Sequence, residues 1–399
     1  MYDSSPKHNP IRHLKTSLFQ KEWIFPHRNS VAFVTLGIED SHMSSNHSAY
    51  NILKDYEWNY AHVPSSKPHI SNPAEETPGK WTYAGLPVRS PLAIAAGPLL
   101  NSEWVKFYAE RSFDILTYKT VRRCSQASYK LPNLVPIEAV GVHKPGASVR
   151  GIGQMTGSWA VSFGMPSREP KIWRADIASA RQCLESGQIL SVSVVATPEK
   201  GDDLKTIGED YASCARWAFE SGADVVELNF SCPNVKTPDG MLYTQPAASK
   251  DVLCRVRDLV GNKPLLVKLG FVGEDALARS WVKLSEGLVE GLVMINCIGA
   301  KVQSADGKDF FSGESRGIAG VAISEAVRKQ VITFQSLIRE HRSKLKTIAV
   351  GGVKEATDVS DYLKLGVEGV QTATAAMLNP SWAVSVKSEL QKAYRAQSI

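Results

Sequence analysis

The residues best suited to chemistry in this chain of 399 amino acids form the run Glu227–Asn234, ELNFSCPN. The mostly apolar stretch Val225–Asn229 predicts a strand that ends at Asn229, and Cys232 and Asn234 flank the proline of the turn that follows. A thiol accepts a proton at neutral pH only if its pKa falls below the ordinary value of about 8.5. Amide side chains bind polar ligand groups without adding charge. The run therefore predicts a proton acceptor between two amides, with a buried cysteine in an Asx turn as the structural alternative.

Two lysines end other apolar runs. Lys119 follows Thr117-Tyr118, and Lys268 follows Leu266-Val267. A partly desolvated ammonium must meet an anion or shift its pKa, so each lysine predicts either an anionic ligand or a structural ion pair. Asn296, followed by Cys297, ends a further run in the same way.

Small residues follow several other predicted strands. Backbone N–H groups at such positions can hold a phosphate, and small side chains let the ligand approach closely. The small residues after the first strand leave room for a flat ring. A phosphate site, a flat-ring site and two ammonium groups together predict flavin mononucleotide, FMN. The residues concerned are Ala96, Gly97, Ala319, Gly320, Gly351, Gly352, Ala373 and Thr374.

Eight short, mostly β-branched runs must position these residues. Longer amphipathic stretches such as 207–220, 249–259, 274–286, 323–342 and 356–365 separate most of them and predict helices. This alternation predicts an α/β fold, a closed (β/α)8 TIM barrel whose active site lies at the carboxyl ends of the strands. A doubly wound open sheet is less favoured, because no G-x-G-x-x-G follows the first strand. The predicted strands are 92–95, 115–119, 190–195, 225–229, 265–269, 291–295, 347–350 and 369–373.

The barrel is expected to occupy residues 81–399. Residues 1–80 are rich in Ser, Asn, His and Pro and predict a partly irregular N-terminal extension. Two stretches interrupt the alternation of strands and helices: about 50 residues before a helix at 171–184, and residues 231–248. We expect both to be functional loops at the mouth of the barrel.

Composition excludes several classes of protein. The net charge of +6 is too small and dispersed for a nucleic-acid surface, and the six cysteines include no C-x-x-C pair. Seven of the nine histidines precede residue 70, so the barrel lacks the usual imidazole ligands of a metal site. No apolar run is long enough to span a bilayer, and no secretory signal is evident. We therefore expect a cytoplasmic enzyme without a metal, nucleic-acid partner or membrane anchor.

The barrel segment resembles the dihydroorotate dehydrogenases and, through them, the pyrimidine-binding barrel of the dihydropyrimidine dehydrogenases. Glu227–Asn234 carries the resemblance most specifically, and the Ala-Ala-Gly, Val-Lys-Leu and Val-Gly-Gly-Val segments support it in the right order. The resemblance implies an FMN-dependent oxidoreductase. It implies that Cys232 accepts a proton from a dihydroorotate-like ring while a hydride passes to flavin N5. A cysteine here is typical of the soluble class, whereas the membrane-associated class carries serine.

The resemblance also assigns site residues. Lys119, Lys268 and Cys232 match the catalytic positions, and Lys268 lies where negative charge develops on the flavin. The flavin phosphate is implied to rest on the amides of Ala319, Gly320, Gly351, Gly352, Ala373 and Thr374. Its ring is implied to lie near Ala96, Gly97, Lys119, Thr120, Asn229, Lys268 and Asn296. The substrate is implied to contact Lys119, Ser162, Phe163, Gly164, Met165, Asn229, Asn234, Asn296 and Cys297.

One departure from the family pattern leaves the substrate open. Val161 stands where the family's Asn-Ser-Met-Gly-Leu-Pro loop begins with asparagine, so one substrate amide is missing unless Ser162 compensates. An uncharged dihydropyrimidine or another cyclic amide is the alternative substrate. A cofactor-free phosphosugar lyase barrel and a non-enzymatic binding module are the alternatives of another class. A homodimer is compatible with the resemblance. Fumarate, oxygen, nicotinamide or a partner protein could accept the electrons.

Overall fold

Eight parallel strands close into a barrel in the computed structural model, which describes residues 49–65, 77–231 and 238–397. The described residues form these eight strands and seven others: β1 (Trp81–Tyr83), β2 (Leu86–Val88), β3 (Leu92–Ile94), β4 (Ile115–Val121), β5 (Leu134–Pro136), β6 (Ala147–Arg150), β7 (Ser158–Val161), β8 (Ile189–Val194), β9 (Val225–Asn229), β10 (Leu265–Leu269), β11 (Gly291–Met294), β12 (Ile298–Gln303), β13 (Arg316–Gly320), β14 (Lys346–Val350) and β15 (Gly369–Thr372). Around the barrel the order is β3-β4-β8-β9-β10-β11-β14-β15, and β1 and β2 form a separate antiparallel hairpin.

Helices follow most barrel strands and pack around them. They are α1 (Tyr56–Ala61), α2 (Ser102–Ala109), α3 (Pro170–Gln182), α4 (Leu204–Glu220), α5 (Pro246–Val260), α6 (Asp275–Ser285), α7 (Ser324–Glu340), α8 (Ala356–Leu365), α9 (Thr374–Leu378) and α10 (Trp382–Gln397). The local sequence explains where several of these helices begin. Asp203 accepts a hydrogen bond from the Thr206 amide (2.8 Å) at the start of α4. Proline begins α3 and α5, where its missing N–H costs nothing.

The eight predicted barrel strands and the (β/α)8 fold are confirmed. All residues of β4, β8, β9 and β10 are buried, as expected for parallel strands covered on both faces. The main core lies between the barrel and its helices, and large fully buried side chains such as Trp104, Trp173 and Trp281 fill it. The barrel therefore brings the carboxyl ends of eight strands to one rim.

A second sheet was not predicted. Its strand order is β5-β7-β13-β12-β6, and it is built from the two insertions after β4 and after β11. The 50 residues expected to be one functional loop contain three short strands. Gly317–Gly320, which includes two residues expected to offer amides to a phosphate, belongs to β13 and pairs with β7, with Gly317 opposite Val161. The expected loop 231–248 contains a 3-10 turn at Pro238–Thr244 and the start of α5, and residues 232–237 lie outside the described residues.

Among the described residues before the barrel there is one short helix, α1, which is hydrogen-bonded to the start of α2. Asn101 donates to the Tyr60 carbonyl (2.8 Å), and the Trp104 indole donates to the Asn59 carbonyl (2.9 Å). The expected boundary between an extension of residues 1–80 and a barrel of 81–399 stays a prediction, since residues 1–48 and 66–76 lie outside the described residues. Within the described ranges, every helix is too short or too polar to cross a bilayer. A cytoplasmic location stays a prediction.

Candidate active site

A cleft opens at the carboxyl ends of the barrel strands, the edge where sites of this fold are built. Its empty volume, open mouth included, is about 1010 Å³. We call this space the cleft. Its lining is Ala95, Ala96, Gly97, Lys119, Thr120, Val161, Phe163, Gly164, Met165, Ser193, Asn229, Lys268, Asn296, Cys297, Ala319, Gly320, Val350, Gly351, Gly352, Val353, Thr372, Ala373 and Thr374.

Lys268 reaches the floor of the cleft from β10 and rests on a buried carboxylate. Its ammonium lies 3.4 Å from Oε1 of Glu227, a residue with no exposed surface. The other carboxylate oxygen accepts a hydrogen bond from Gln371 Nε2 (2.9 Å), which also donates to the Tyr83 hydroxyl (3.0 Å). Within the described residues, no donor reaches Oε1 with hydrogen-bond geometry, so the ammonium supplies its charge compensation. The buried Glu227 carboxylate therefore fixes the position of the Lys268 ammonium from inside the barrel.

The strand ends of β9 and β11 place two amides side by side. Asn229 Oδ1 accepts from the Ser231 amide (3.2 Å), and the Asn296 amide group donates to the Ser231 carbonyl. Asn229 Nδ2 points at Met165 Sδ at 3.4 Å, a weak acceptor that a stronger one could replace. The Met165 backbone adopts a positive φ of 51°, and Arg122 Nε holds its carbonyl (3.0 Å). These contacts hold the loop that carries Phe163–Met165 next to Asn229.

Lys119 reaches the cleft from β4. Its ammonium donates to the Gly97 carbonyl (3.4 Å) and lies 4.8 Å from the ring centre of Phe163 and 5.4 Å from that of Tyr56. Both distances fall within the range of cation–π attraction. Only 7% of Lys119 is exposed, so the neighbouring residues determine where its ammonium points.

The small residues of the rim fit a flat, phosphorylated cofactor. A side chain added at Gly97 would meet no atom within 4 Å, so the cleft is open over this position. Gly352 has φ of +73°, and a Cβ there would lie 2.5 Å from Ser324 at the start of α7. Glycine therefore lets this helix start approach the rim closely. The short helix α9 begins directly after β15, and the N–H groups of its first turn have no partner inside the helix. These residues fit an FMN group.

Most of the predicted site residues converge on this one cleft. Ser162 does not line it: its hydroxyl accepts from Arg316 Nε (2.8 Å), its carbonyl from Asn133, and its side chain is buried. Ser162 therefore does not compensate for Val161, which does line the cleft. Cys232 and Asn234 lie outside the described residues. The predicted site residues that line the cleft are Ala96, Gly97, Lys119, Thr120, Phe163, Gly164, Met165, Asn229, Lys268, Asn296, Cys297, Ala319, Gly320, Gly351, Gly352, Ala373 and Thr374.

Sequence reasoning missed three contributors. Glu227 carried a signal, because it stands two residues before Asn229 and therefore on the same face of the strand. Ser193, whose hydroxyl lies 3.0 Å from that of Thr120, is a small polar residue in an apolar strand. Tyr56 had no signal, since it precedes the barrel altogether. Among the described residues, no group of three His, Cys, Asp or Glu is arranged to hold a metal ion.

Comparison with known proteins identifies the family of this chain. The sequence model of the family described as dihydroorotate dehydrogenase matches residues 80–394. The chain belongs to the dihydroorotate dehydrogenase family. A curated member from Dictyostelium discoideum, named dihydroorotate dehydrogenase, is 31% identical over 355 residues, which cover 84% of this chain and 95% of that protein.

Other members are more distant. The catalytic subunit of dihydroorotate dehydrogenase B (NAD(+)) from Staphylococcus carnosus is 28% identical over 190 residues, 46% of this chain and 59% of its own length. A solved structure of the dihydroorotate dehydrogenase of Eimeria tenella, in complex with ferulenol, superposes with a TM-score of 0.66. It covers 86% of this chain and 93% of its own, and at 16% identity it supports the fold alone. Tyr56 precedes the residues that the family model matches.

Proposed function

We propose that this chain is an FMN-dependent dehydrogenase that oxidises dihydroorotate to orotate. The observation that carries the proposal is the meeting of Lys119, Asn229 and Lys268, from three strands, with Asn296, which follows β11, in one cleft rimmed by small residues. Two ammonium groups and two amides suit a flat anionic ring with amide edges next to a phosphorylated cofactor.

The side chains divide the work. When bound, FMN supplies the acceptor for a hydride. Asn229 and Asn296 orient the amide edges of the substrate ring, and Lys119 binds its carboxylate. Lys268 provides fixed positive charge at the cofactor side, where an ammonium already in place costs no reorganisation. The small residues Gly351, Gly352, Ala373 and Thr374 would hold the cofactor phosphate.

Cys232 is the proton acceptor in this proposal. Its thiolate takes the proton from the ring carbon next to the carbonyl, while the hydride leaves the adjacent carbon. General base catalysis of this kind contributes about 10²- to 10⁴-fold, provided that base and carbon are held in reach. The assignment rests on the Glu227–Asn234 run and on family membership.

An anaerobic titration of the purified protein, followed by flavin absorbance, tests the proposal. We expect a flavin spectrum, an FMN rather than a dinucleotide released on denaturation, and bleaching by dihydroorotate. Cys232→Ser should slow bleaching at pH 7 by roughly 100-fold or more and leave the flavin content unchanged. The exposed cysteine Cys183 is the matched control, and Cys183→Ser should bleach at the normal rate. A colourless protein, or a Cys232→Ser variant with normal rates across pH, would contradict the proposal.

One wall of the cleft supports an alternative, uncharged substrate. Val161, Phe163 and Met165 make one wall of the cleft apolar, which favours an uncharged dihydropyrimidine or another cyclic amide. Dihydrouracil in the same titration separates the two, because only the substrate that fits should bleach the flavin rapidly. We do not extend the proposal to a cofactor-free phosphosugar lyase, since the chain belongs to a dehydrogenase family. A homodimer and an electron-accepting partner protein stay predictions.

A further inference from the structure

In the described part of the chain before the barrel, Tyr56 contacts Lys119 and Phe163, two residues that line the cleft. This residue begins α1 and is only 4% exposed. Its ring packs edge-on against Phe163 at 6.1 Å between ring centres, and Tyr50 packs on the same phenylalanine at 5.9 Å. Phe163 belongs to the loop that was predicted to contact substrate. The chain before the barrel therefore supports a wall of the cleft.

The same ring lies beside the ammonium of Lys119. Tyr56 and Phe163, at 5.4 and 4.8 Å, present two aromatic rings to one cation. Burial, and then the nearby Tyr50 and Tyr60, raise the pKa of Tyr56 well above its ordinary value, so the phenol stays neutral. A neutral ring attracts an ammonium through its face and adds no counter-charge. Such a contact helps to set the direction of the Lys119 ammonium.

The segment is held firmly enough for this role. Asn59 is fully buried, accepts from the Asn51 amide (2.8 Å) and donates to the Asp55 carbonyl (2.9 Å), which fixes the turn before α1. Arg168 pairs with Glu57 and stacks on Tyr60 at 4.3 Å. Together with the bonds from Asn101 and Trp104, these contacts fasten both ends of α1 to the barrel. The position of Tyr56 is therefore set independently of the cleft.

We propose that Tyr56 is a positioning residue of the active site, which holds the Lys119 ammonium for the anionic group of the substrate. The proposal rests on the proposed function, in which Lys119 binds the substrate carboxylate. It adds a residue from outside the family-matched range 80–394 to the determinants of substrate specificity. Residues 49–61 are then part of the enzyme's binding site.

A double-mutant cycle tests the proposal. In the flavin-loaded full chain, Tyr56→Leu should weaken orotate binding, measured by the change in flavin absorbance, and slow anaerobic bleaching at low dihydroorotate. Each loss should be roughly 5- to 30-fold, because a desolvated cation–π contact contributes about 1–2 kcal/mol. In a Lys119→Met background, the same change should have almost no further effect. Tyr56→Phe keeps the ring and should behave like the wild type.

Trp58→Leu is the matched control. Trp58 lies on the same helix, and its ring lies 6.0 Å from the ammonium of Lys54, which is exposed and outside the cleft. This variant should leave both measurements unchanged. Tyr56→Met, which better fills the volume of the ring, provides a second apolar variant if Tyr56→Leu does not fold.

The outcomes separate the two proposals. If dihydroorotate fails to bleach the wild-type flavin, the proposed function is wrong and this inference falls with it. If the wild type is bleached but Tyr56→Leu or Tyr56→Met binds orotate normally, only the inference is overturned. Equal losses in the wild-type and Lys119→Met backgrounds would also overturn it, since they would show a merely structural role for Tyr56.

Discussion

The two lysines of the cleft are held by different means. Lys268 pairs with the wholly buried carboxylate of Glu227 inside the barrel. Gln371 donates hydrogen bonds both to this carboxylate and to the Tyr83 hydroxyl. Lys119 lies against the Gly97 carbonyl and the faces of Tyr56 and Phe163. Among these contacts, Lys268 meets a full opposite charge, whereas Lys119 meets a carbonyl dipole and two ring quadrupoles.

This difference suggests a division of labour. An ammonium paired with a fixed carboxylate keeps its position whether or not a ligand is bound, which suits a permanent cofactor whose charge changes during reaction. An ammonium directed by aromatic faces gains more from an incoming anion, because those faces cancel little of its charge. We therefore expect changes at Lys268 to affect stability and cofactor chemistry, and changes at Lys119 to affect the substrate.

The largest expected effect is that of Lys268→Met. Removing the ammonium leaves the Glu227 carboxylate buried without its charge partner, and breaking such a pair costs about 3–5 kcal/mol. The variant should lose that much free energy of unfolding in urea denaturation. It should also retain less flavin or reduce it more slowly.

Glu227→Gln provides the control for this change. Combined with Lys268→Met, it removes the stranded charge and should recover part of the lost stability, with no recovery of flavin reduction. If Lys268→Met alone unfolds at the wild-type urea concentration, the carboxylate is compensated in another way. The contrast drawn between the two lysines would then fail.

Lys119→Met should have its main effect on the substrate. A charge-assisted hydrogen bond contributes about 1.5–3 kcal/mol, so bleaching at low dihydroorotate should slow by roughly 10- to 100-fold. The methionine can still pack against both rings. Lys54→Met, at the exposed lysine beside Trp58, is the matched control and should change nothing. Normal rates with dihydroorotate in Lys119→Met would show that the anion is bound elsewhere.

The barrel could be predicted because its signals are local. Each strand is an apolar run bounded by turn residues, and the polar residues that end the runs, such as Asn229 and Lys268, must meet at one rim once the barrel closes. Glu227 could also have been predicted to face inward, since it shares a strand face with Asn229. Its partner Gln371 lies on β15, and no local pattern connects the two.

The second sheet and Tyr56 depend on contacts that no local pattern records. The strands β5, β6 and β7 have only three or four residues each, and β6 pairs with β12, about 150 positions later. Strands this short acquire their structure from the partner rather than from their own propensity. Tyr56 likewise reaches Lys119 only because the contacts with α2 hold α1 in place.

The smallest expected effect tests how far the Lys268 network extends. Tyr83 is fully buried, and burial together with Glu227 raises its pKa well above the ordinary value, so its hydroxyl stays neutral and accepts from Gln371. Tyr83→Phe removes that acceptor, but the same Gln371 nitrogen still donates to Glu227. The loss in urea denaturation should therefore be about 1 kcal/mol or less, with unchanged flavin reduction. A loss near that of Lys268→Met would instead mean that the glutamine, rather than the ammonium, keeps the carboxylate in place, and the charge pairing would no longer distinguish the two lysines.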